Sequence, residues 1–155
     1  MPSYISGDDN FDSGEVGGVT LLGTLAASGS SVTLSSVDLT NYKFLQIDCM
    51  NVQVNNNNAW YGLNGNTERY AIAKQNTGAG VSGYGANATC KVNLSTGYGF
   101  NSVTGVTTSA GFAGSYITYG GGHNFGVTTS TTSLTIYARS GYTLSQGEFK
   151  FYGIR

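Results

Sequence analysis

From Ser133 to Arg155, apolar and polar side chains change places at almost every step. Leu134, Ile136 and Ala138 alternate with Thr135, Tyr137 and Arg139, and Phe149 and Phe151 alternate with Glu148 and Lys150. A period of two puts one set on each face of an extended chain, so each run predicts a half-buried β-strand. Ser140–Gly147 between them is a Gly/Ser-rich connection, long for a hairpin. A closing strand with two buried phenylalanines has to be tied into a sheet. The residues upstream must supply that sheet.

The composition agrees. Charged residues are 10% of the 155, against roughly 25% in an ordinary soluble domain. Ser, Thr, Asn, Gly and Tyr fill the gap, with 24 glycines, 11 tyrosines and one proline. Aromatic and β-branched residues are too many, and net charge too small, for a disordered chain. The length is that of one domain with a sizeable core. The formal net charge of −1 comes with basic residues scattered singly, at Lys43, Arg69, Lys74, Lys91, Arg139, Lys150 and Arg155. No basic stripe exists, which argues against nucleic acid as a partner. Weak self-repulsion favours association, so a homo-oligomer is expected. Cys49 and Cys90 each sit inside an apolar alternation and read as reduced, buried thiols, although a bridge between them is not decided by spacing. The start, Met1-Pro2-Ser3-Tyr4-Ile5, lacks the basic and apolar stretches of a signal peptide. No run reaches membrane-spanning length, so membrane insertion is not expected. Synthesis in a cytoplasm without export by the usual route is the matching expectation.

Residues 1–18 differ from the rest. Asp8, Asp9, Asp12 and Glu15 are half of the acidic groups, set among glycines, with Tyr4, Ile5 and Phe11 as large apolar groups. The segment reads as an extended docking arm on a β-domain spanning 19–155, and Tyr4, Ile5 and Phe11 are the candidate assembly contacts. Asp8–Asp12 opens like a calcium loop, but Ser13 stands where the loop needs glycine and Val19 where it needs a bidentate glutamate.

Strands are predicted at Thr20–Ala26, Ser31–Ser35, Tyr42–Val54, Ala59–Leu63, Glu68–Lys74, Asn87–Leu94 and Ser115–Tyr119, besides the two terminal runs. Turns fall at Ala27–Ser30, Asp38–Asn41, Asn55–Asn58 and Asn64-Gly65. In the long third strand Leu45, Ile47 and Cys49 share one face, and Phe44, Met50 and Val52 fall on the other. Residues 95–133 are hard to read, because glycines are interleaved with isolated aromatics. The sum is an all-β fold, a single β-sandwich or jelly roll of about eight or nine strands.

Little in the chain points to a reaction. His123, the single histidine, follows three glycines and reads as a loop residue without metal-ligating neighbours in sequence. Outside the arm the carboxylates are Asp38, Asp48, Glu68 and Glu148; the first reads as a turn residue and the others as strand residues facing solvent. A glycosidase would need two of them at a set separation. No catalytic residue, metal site or cofactor is assigned. Tyrosines beside Ser, Gly and Asn have the composition of adaptable binding loops. Trp60, Tyr61, Tyr98 and Tyr119 are the candidate ligand contacts, with stacking on sugar rings as the expected mode, against the simpler view that tyrosine suits strands.

Two blocks carry a resemblance. Thr33-Leu34-Ser35-Ser36 followed by Leu39–Ile47, and Ser133–Tyr137 followed by a Ser/Gly loop and G-x-F-x-x-Y-G-I-[RK] at Gly147–Arg155, resemble small structural proteins of tailed bacteriophages. The terminal block is the more distinctive, and 55–130 match nothing in that pattern. The resemblance implies a β-sandwich on the virion surface, often a homotrimer, held by other virion proteins of the capsid or tail. It implies a capsid decoration (cement) protein or a part of the tail-fibre apparatus, the latter with a host-surface glycan as its ligand. A short arm without an anchoring shaft tilts the expectation toward capsid decoration, with a glycan-recognising tail-tip module second and a lytic enzyme third.

Overall fold

The computed structural model describes residues 18–56, 60–65, 70–74, 84–108 and 121–155. Among them are ten strands and no helix: β1 (Val19–Ala26), β2 (Ser31–Ser35), β3 (Phe44–Val54), β4 (Trp60–Leu63), β5 (Ala71–Lys74), β6 (Tyr84–Asn93), β7 (Tyr98–Thr108), β8 (Gly121–Asn124), β9 (Ser133–Ala138) and β10 (Leu144–Ile154). They form two antiparallel sheets, a six-stranded one in the order β1-β10-β3-β6-β7-β8 and a four-stranded one in the order β2-β9-β4-β5. The all-β sandwich is thus the observed fold. The ten strands exceed the expected eight or nine because β7 and β8 lie where glycine masks the alternation. The strand expected at Ser115–Tyr119 lies outside the described residues.

The terminal strand is central, as its two phenylalanines require. β10 is flanked by β1 and β3, and Phe149 and Phe151 are fully buried. The connection expected to run to Gly147 is shorter, because β10 already begins at Leu144, which is 2% exposed. Two register irregularities between Leu144 and Glu148 explain the misreading, since a bulged strand loses its period of two. β9 and β10 do not pair. They lie in opposite sheets, so the segment between them crosses the sandwich edge.

β3 carries the second departure from alternation. Leu45, Ile47 and Cys49 face the core as expected, but so do Val52 and Val54, which have the opposite parity. The switch occurs at Asn51, whose φ is +52°. Asparagine tolerates this left-handed conformation better than most residues, and its backbone N–H donates to Asn87 Oδ1 at 2.8 Å. Across from it Gly147, at φ +92°, lies so close to Asn51 that a Cβ there would meet the Met50 carbonyl oxygen at 2.5 Å. The two residues form one matched bulge, and Val52 moves from the expected outer face to the core.

The core lies between the sheets. β3, β6 and β10 contribute Leu45, Ile47, Cys49, Val92, Phe149 and Phe151, and the facing sheet contributes Leu134, Ile136, Tyr61, Leu63 and Ile72. The Tyr61 and Phe149 rings meet edge to face at 5.6 Å across the interface. The outward face of the β2–β9 pair is hydroxyl-rich and uncharged, with Thr33 and Thr135 hydrogen-bonded through their Oγ1 atoms at 2.9 Å.

Candidate functional site

The residues singled out in sequence separate into three groups. Tyr4, Ile5, Phe11 and Tyr119 lie outside the described residues. Trp60 and Tyr61 are not surface contacts: they are 4% and 2% exposed, in a strand buried along its whole length. Tyr61 faces the core, and Trp60, one position out of phase, lies apart from that cluster, on the other side of its sheet. Neither can stack on a glycan without unfolding β4. Tyr98 is 54% exposed and remains a surface aromatic.

Tyr98 belongs to a larger feature, the outer face of the six-stranded sheet. Register places Leu21, Tyr152, Gln46, Lys91 and Phe100 in one row across five strands. The next row toward the sheet's end holds Val19, Ile154, Phe44 and Asn93. Val19 is 63% exposed, Leu21 55% and Phe100 72%. The rows form an apolar and aromatic band with Lys91 Nζ lying 4.7 Å from the Phe44 ring centroid. Isolated exposed apolar residues are ordinary; a contiguous set on one face marks an interaction surface.

The acidic groups of this face lie in the two rows that follow, Asp48 next to the Lys91 row and Glu148 one row further. Asp48 accepts hydrogen bonds from Gln46 Nε2 at 3.0 Å and Thr89 Oγ1 at 3.1 Å and stands opposite Lys150. Lys150 also pairs with Glu148 at 3.3 Å. These groups satisfy one another on an open sheet, without the cleft that a pair of catalytic carboxylates would need. Asp38 is a turn residue as expected: its Oδ1 accepts from the Thr40 N–H at 3.0 Å and the Thr40 hydroxyl at 2.6 Å, and these bonds hold its carboxyl below the usual carboxylate range. Glu68 lies outside the described residues.

Two concavities are lined by described side chains. The first, of about 510 Å³, is lined by Tyr42, Lys43, Phe44, Asn93, Leu94, Ser95, Thr128 and Thr129 at the end of β3. Local turns shape it. Asn93 Oδ1 accepts from Ser95 N–H at 2.9 Å, Leu94 N–H donates to the Lys43 carbonyl at 2.9 Å, and Thr128 N–H donates to Thr131 Oγ1 at 3.0 Å. The Arg155 guanidinium lies 5.7 Å from the Tyr42 ring centroid. The second cleft, of about 610 Å³, is lined by Asn64, Tyr70, His123, Asn124, Phe125 and Gly126. His123, expected in a loop, lies in β8 opposite Gly99 and meets Phe125 edge to face at 6.2 Å. The triple glycine hid a short edge strand.

Cys49 and Cys90 are buried free thiols, in line with the simpler reading. Cys90 stands opposite Ile47 and Cys49 opposite Ala88, so the two are diagonal neighbours. Such Cα atoms lie about 7–8 Å apart, beyond the usual reach of a disulfide. Burial pushes the Cys49 thiol up to about 12 and raises Cys90 and Tyr61 well above their ordinary values. The Tyr61 hydroxyl has no well-formed hydrogen bond; the Cys49 thiol beside it is a weak partner. These groups are proton-bearing core residues at neutral pH, not reactive ones. Among the described residues no group of three or more His, Cys, Asp or Glu side chains is gathered to hold a metal ion. No described helix is long and apolar enough to cross a membrane.

Comparison with protein-family models, curated proteins and solved structures returns no match to this chain.

Proposed function

We propose that the protein is a non-enzymatic structural component of a tailed-bacteriophage virion, a decoration (cement) protein that binds the assembled capsid and stabilises it. The observation that carries this reading is the apolar band on the outer face of the six-stranded sheet, where Val19, Leu21, Tyr98 and Phe100 are each more than half exposed. A chain with so little charge gains little from leaving that band in water, and covering it with a neighbouring virion protein removes apolar area from solvent. The two blocks that resemble phage structural proteins support the same reading. They cover parts of β2, β3, β9 and β10; β2 pairs with β9 in the smaller sheet and β3 with β10 in the larger one. A homotrimer on the virion surface is the assembly that the resemblance implies.

The test is copy number in purified particles, with removal of the gene. A decoration protein is present in hundreds of copies, and its omission lowers the heat or chelator resistance of the capsid while leaving adsorption intact. A few copies per particle, with adsorption lost, would refute the reading.

One observation favours a second reading, a tail-fibre or tail-tip module for host-surface glycan. The cleft at His123 is lined by two amides, an imidazole and the Tyr70 and Phe125 rings, with no carboxylate or ammonium group among its described lining. That chemistry suits an uncharged sugar. Competition of soluble protein for host attachment tests it, and no inhibition at saturating protein would refute it.

A further inference from the structure

The charge of this chain is divided unevenly. Asp8, Asp9, Asp12 and Glu15 precede Gly18 with no basic residue among them, which leaves seven basic against four acidic side chains from Gly18 onward. The positive excess has a focus. Lys43 and Lys91 are both exposed at one end of the six-stranded sheet, around Tyr42 and Phe44, and Arg155 lies over Tyr42 there. Of the described acids of this face, Asp48 lies one row from Lys91, where it accepts from Gln46 and Thr89 and stands opposite Lys150, and Glu148 lies one row beyond it in an ion pair with Lys150. The corner therefore combines a groove of about 510 Å³, two lysines without an ion pair among the described residues, and the adjoining apolar band of Val19, Leu21 and Phe100.

We propose that the acidic N-terminal segment of one copy docks on this cationic, aromatic corner of a second copy; the proposal rests on the assembly reading above and names its contact. Asp8, Asp9 and Asp12 face Lys43 and Lys91, and Tyr4, Ile5 and Phe11 cover the exposed band. The composition matches on both counts, charge with charge and apolar with apolar. Length matches too. The 17 residues before Gly18 span up to about 3.3 Å each when extended, more than twice the roughly 24 Å width of six strands spaced about 4.8 Å apart. Weak self-repulsion, from a formal net charge of −1, favours a second copy as the body that receives the arm. The Arg155 N–H donates to the Gly18 carbonyl at 3.1 Å, which continues the β1–β10 ladder one residue past Val19.

The experiment uses three full-length proteins: the wild type, a corner variant Lys43→Glu/Lys91→Glu, and an arm variant Asp8→Lys/Asp9→Lys/Asp12→Lys/Glu15→Lys. Mass is measured by light scattering over a concentration series at about 0.1 M and 1 M salt, where the screening length falls from about 10 Å to about 3 Å. Circular dichroism confirms folding; Lys→Gln and Asp→Asn versions serve if a reversal disturbs it. The wild type self-associates, more weakly at high salt. Each variant alone is at least about tenfold weaker, and an equal mixture of the two recovers association, because each arm then meets a corner of opposite sign. Association that ignores both reversals overturns the proposal. A wild type that stays monomeric, or a mixture that recovers nothing, also overturns it and leaves the arm on its own body. Particle copy number is a separate readout: a protein absent from virions whose mixture still recovers association would sink the virion reading and leave the docking intact.

Discussion

Replacing Gly147 by alanine tests the claim that β3 and β10 meet through one matched bulge. Gly141 is the internal control, because both glycines have left-handed backbone, with φ +92° at Gly147 and +86° at Gly141. An added Cβ at Gly141 meets nothing within 4 Å, so Gly141→Ala carries only the conformational penalty of an L-residue there, about 1–2 kcal/mol. At Gly147 the same atom is driven onto the backbone of Met50 and Asn51, with the Met50 carbonyl oxygen at 2.5 Å. Carbonyls of a central strand cannot swing aside as a flexible side chain can. Relief requires shifting the β3–β10 ladder, so Gly147→Ala adds strain of about 2–3 kcal/mol to that penalty. The total of about 3–5 kcal/mol is a large share of the roughly 5–15 kcal/mol that holds a domain folded. Urea titration followed by circular dichroism gives both values by linear extrapolation, and the expected fall in Tm at Gly147 is about 10 °C or more. Equal effects at the two positions would refute the matched bulge.

Three further outcomes follow from burial. Cys49, held at about 12 against an ordinary 9.0, and Cys90 and Tyr61, also raised by burial, keep their protons in the native state after the unfolded chain has lost them; stability is therefore full below about pH 9 and falls as pH rises from 9 toward 12. Tm measured from pH 7 to 11 declines at the alkaline end, Cys49→Ala lessens the slope, and a thiol reagent at pH 8 labels neither cysteine until denaturant is added. Trp60, the single tryptophan and 4% exposed, emits at short wavelength and resists quenching by iodide; a solvent-like spectrum would return it to the surface. Phe100→Ser, at a side chain 72% exposed, leaves urea stability within about 0.5 kcal/mol while weakening self-association, whereas Phe151→Ala in the core costs about 3–5 kcal/mol.

The legible parts of the sequence were those where burial on one face imposes a strict period. Leu134–Ala138, Phe149–Phe151 and Leu45–Cys49 are such runs, and all three lie on the core faces expected of them. The misreadings have physical causes. A left-handed Asn51 inserts one residue into β3 and inverts the parity of Val52 and Val54, and parity counted along one strand cannot reveal it. Trp60 and Tyr61 were assigned to a ligand because both faces of β4 are buried, and a strand covered twice shows no alternation. β7 escaped because Gly97, Gly99 and Gly105 interrupt the pattern; a Cβ at Gly99 would strike the Phe125 ring at 2.7 Å, so that glycine is demanded by packing and not by a turn. The apolar band was invisible for a different reason: Leu21, Phe44, Phe100 and Ile154 come from four strands, and only register gathers them.

The register slip between Leu21 and Gly23 governs how copies of this molecule can meet. Gly23 leans over Leu34 of the facing sheet, and the ladder of β1 steps out of phase at that point on the border of the larger sheet. An incoming foreign strand could match the backbone groups of one half of β1 but not both. Side-by-side growth into a fibre is thereby frustrated without the flanking lysines that richer chains use for the purpose. A protein with so few charges can then be made in quantity while this border of its larger sheet stays a poor template for a foreign strand.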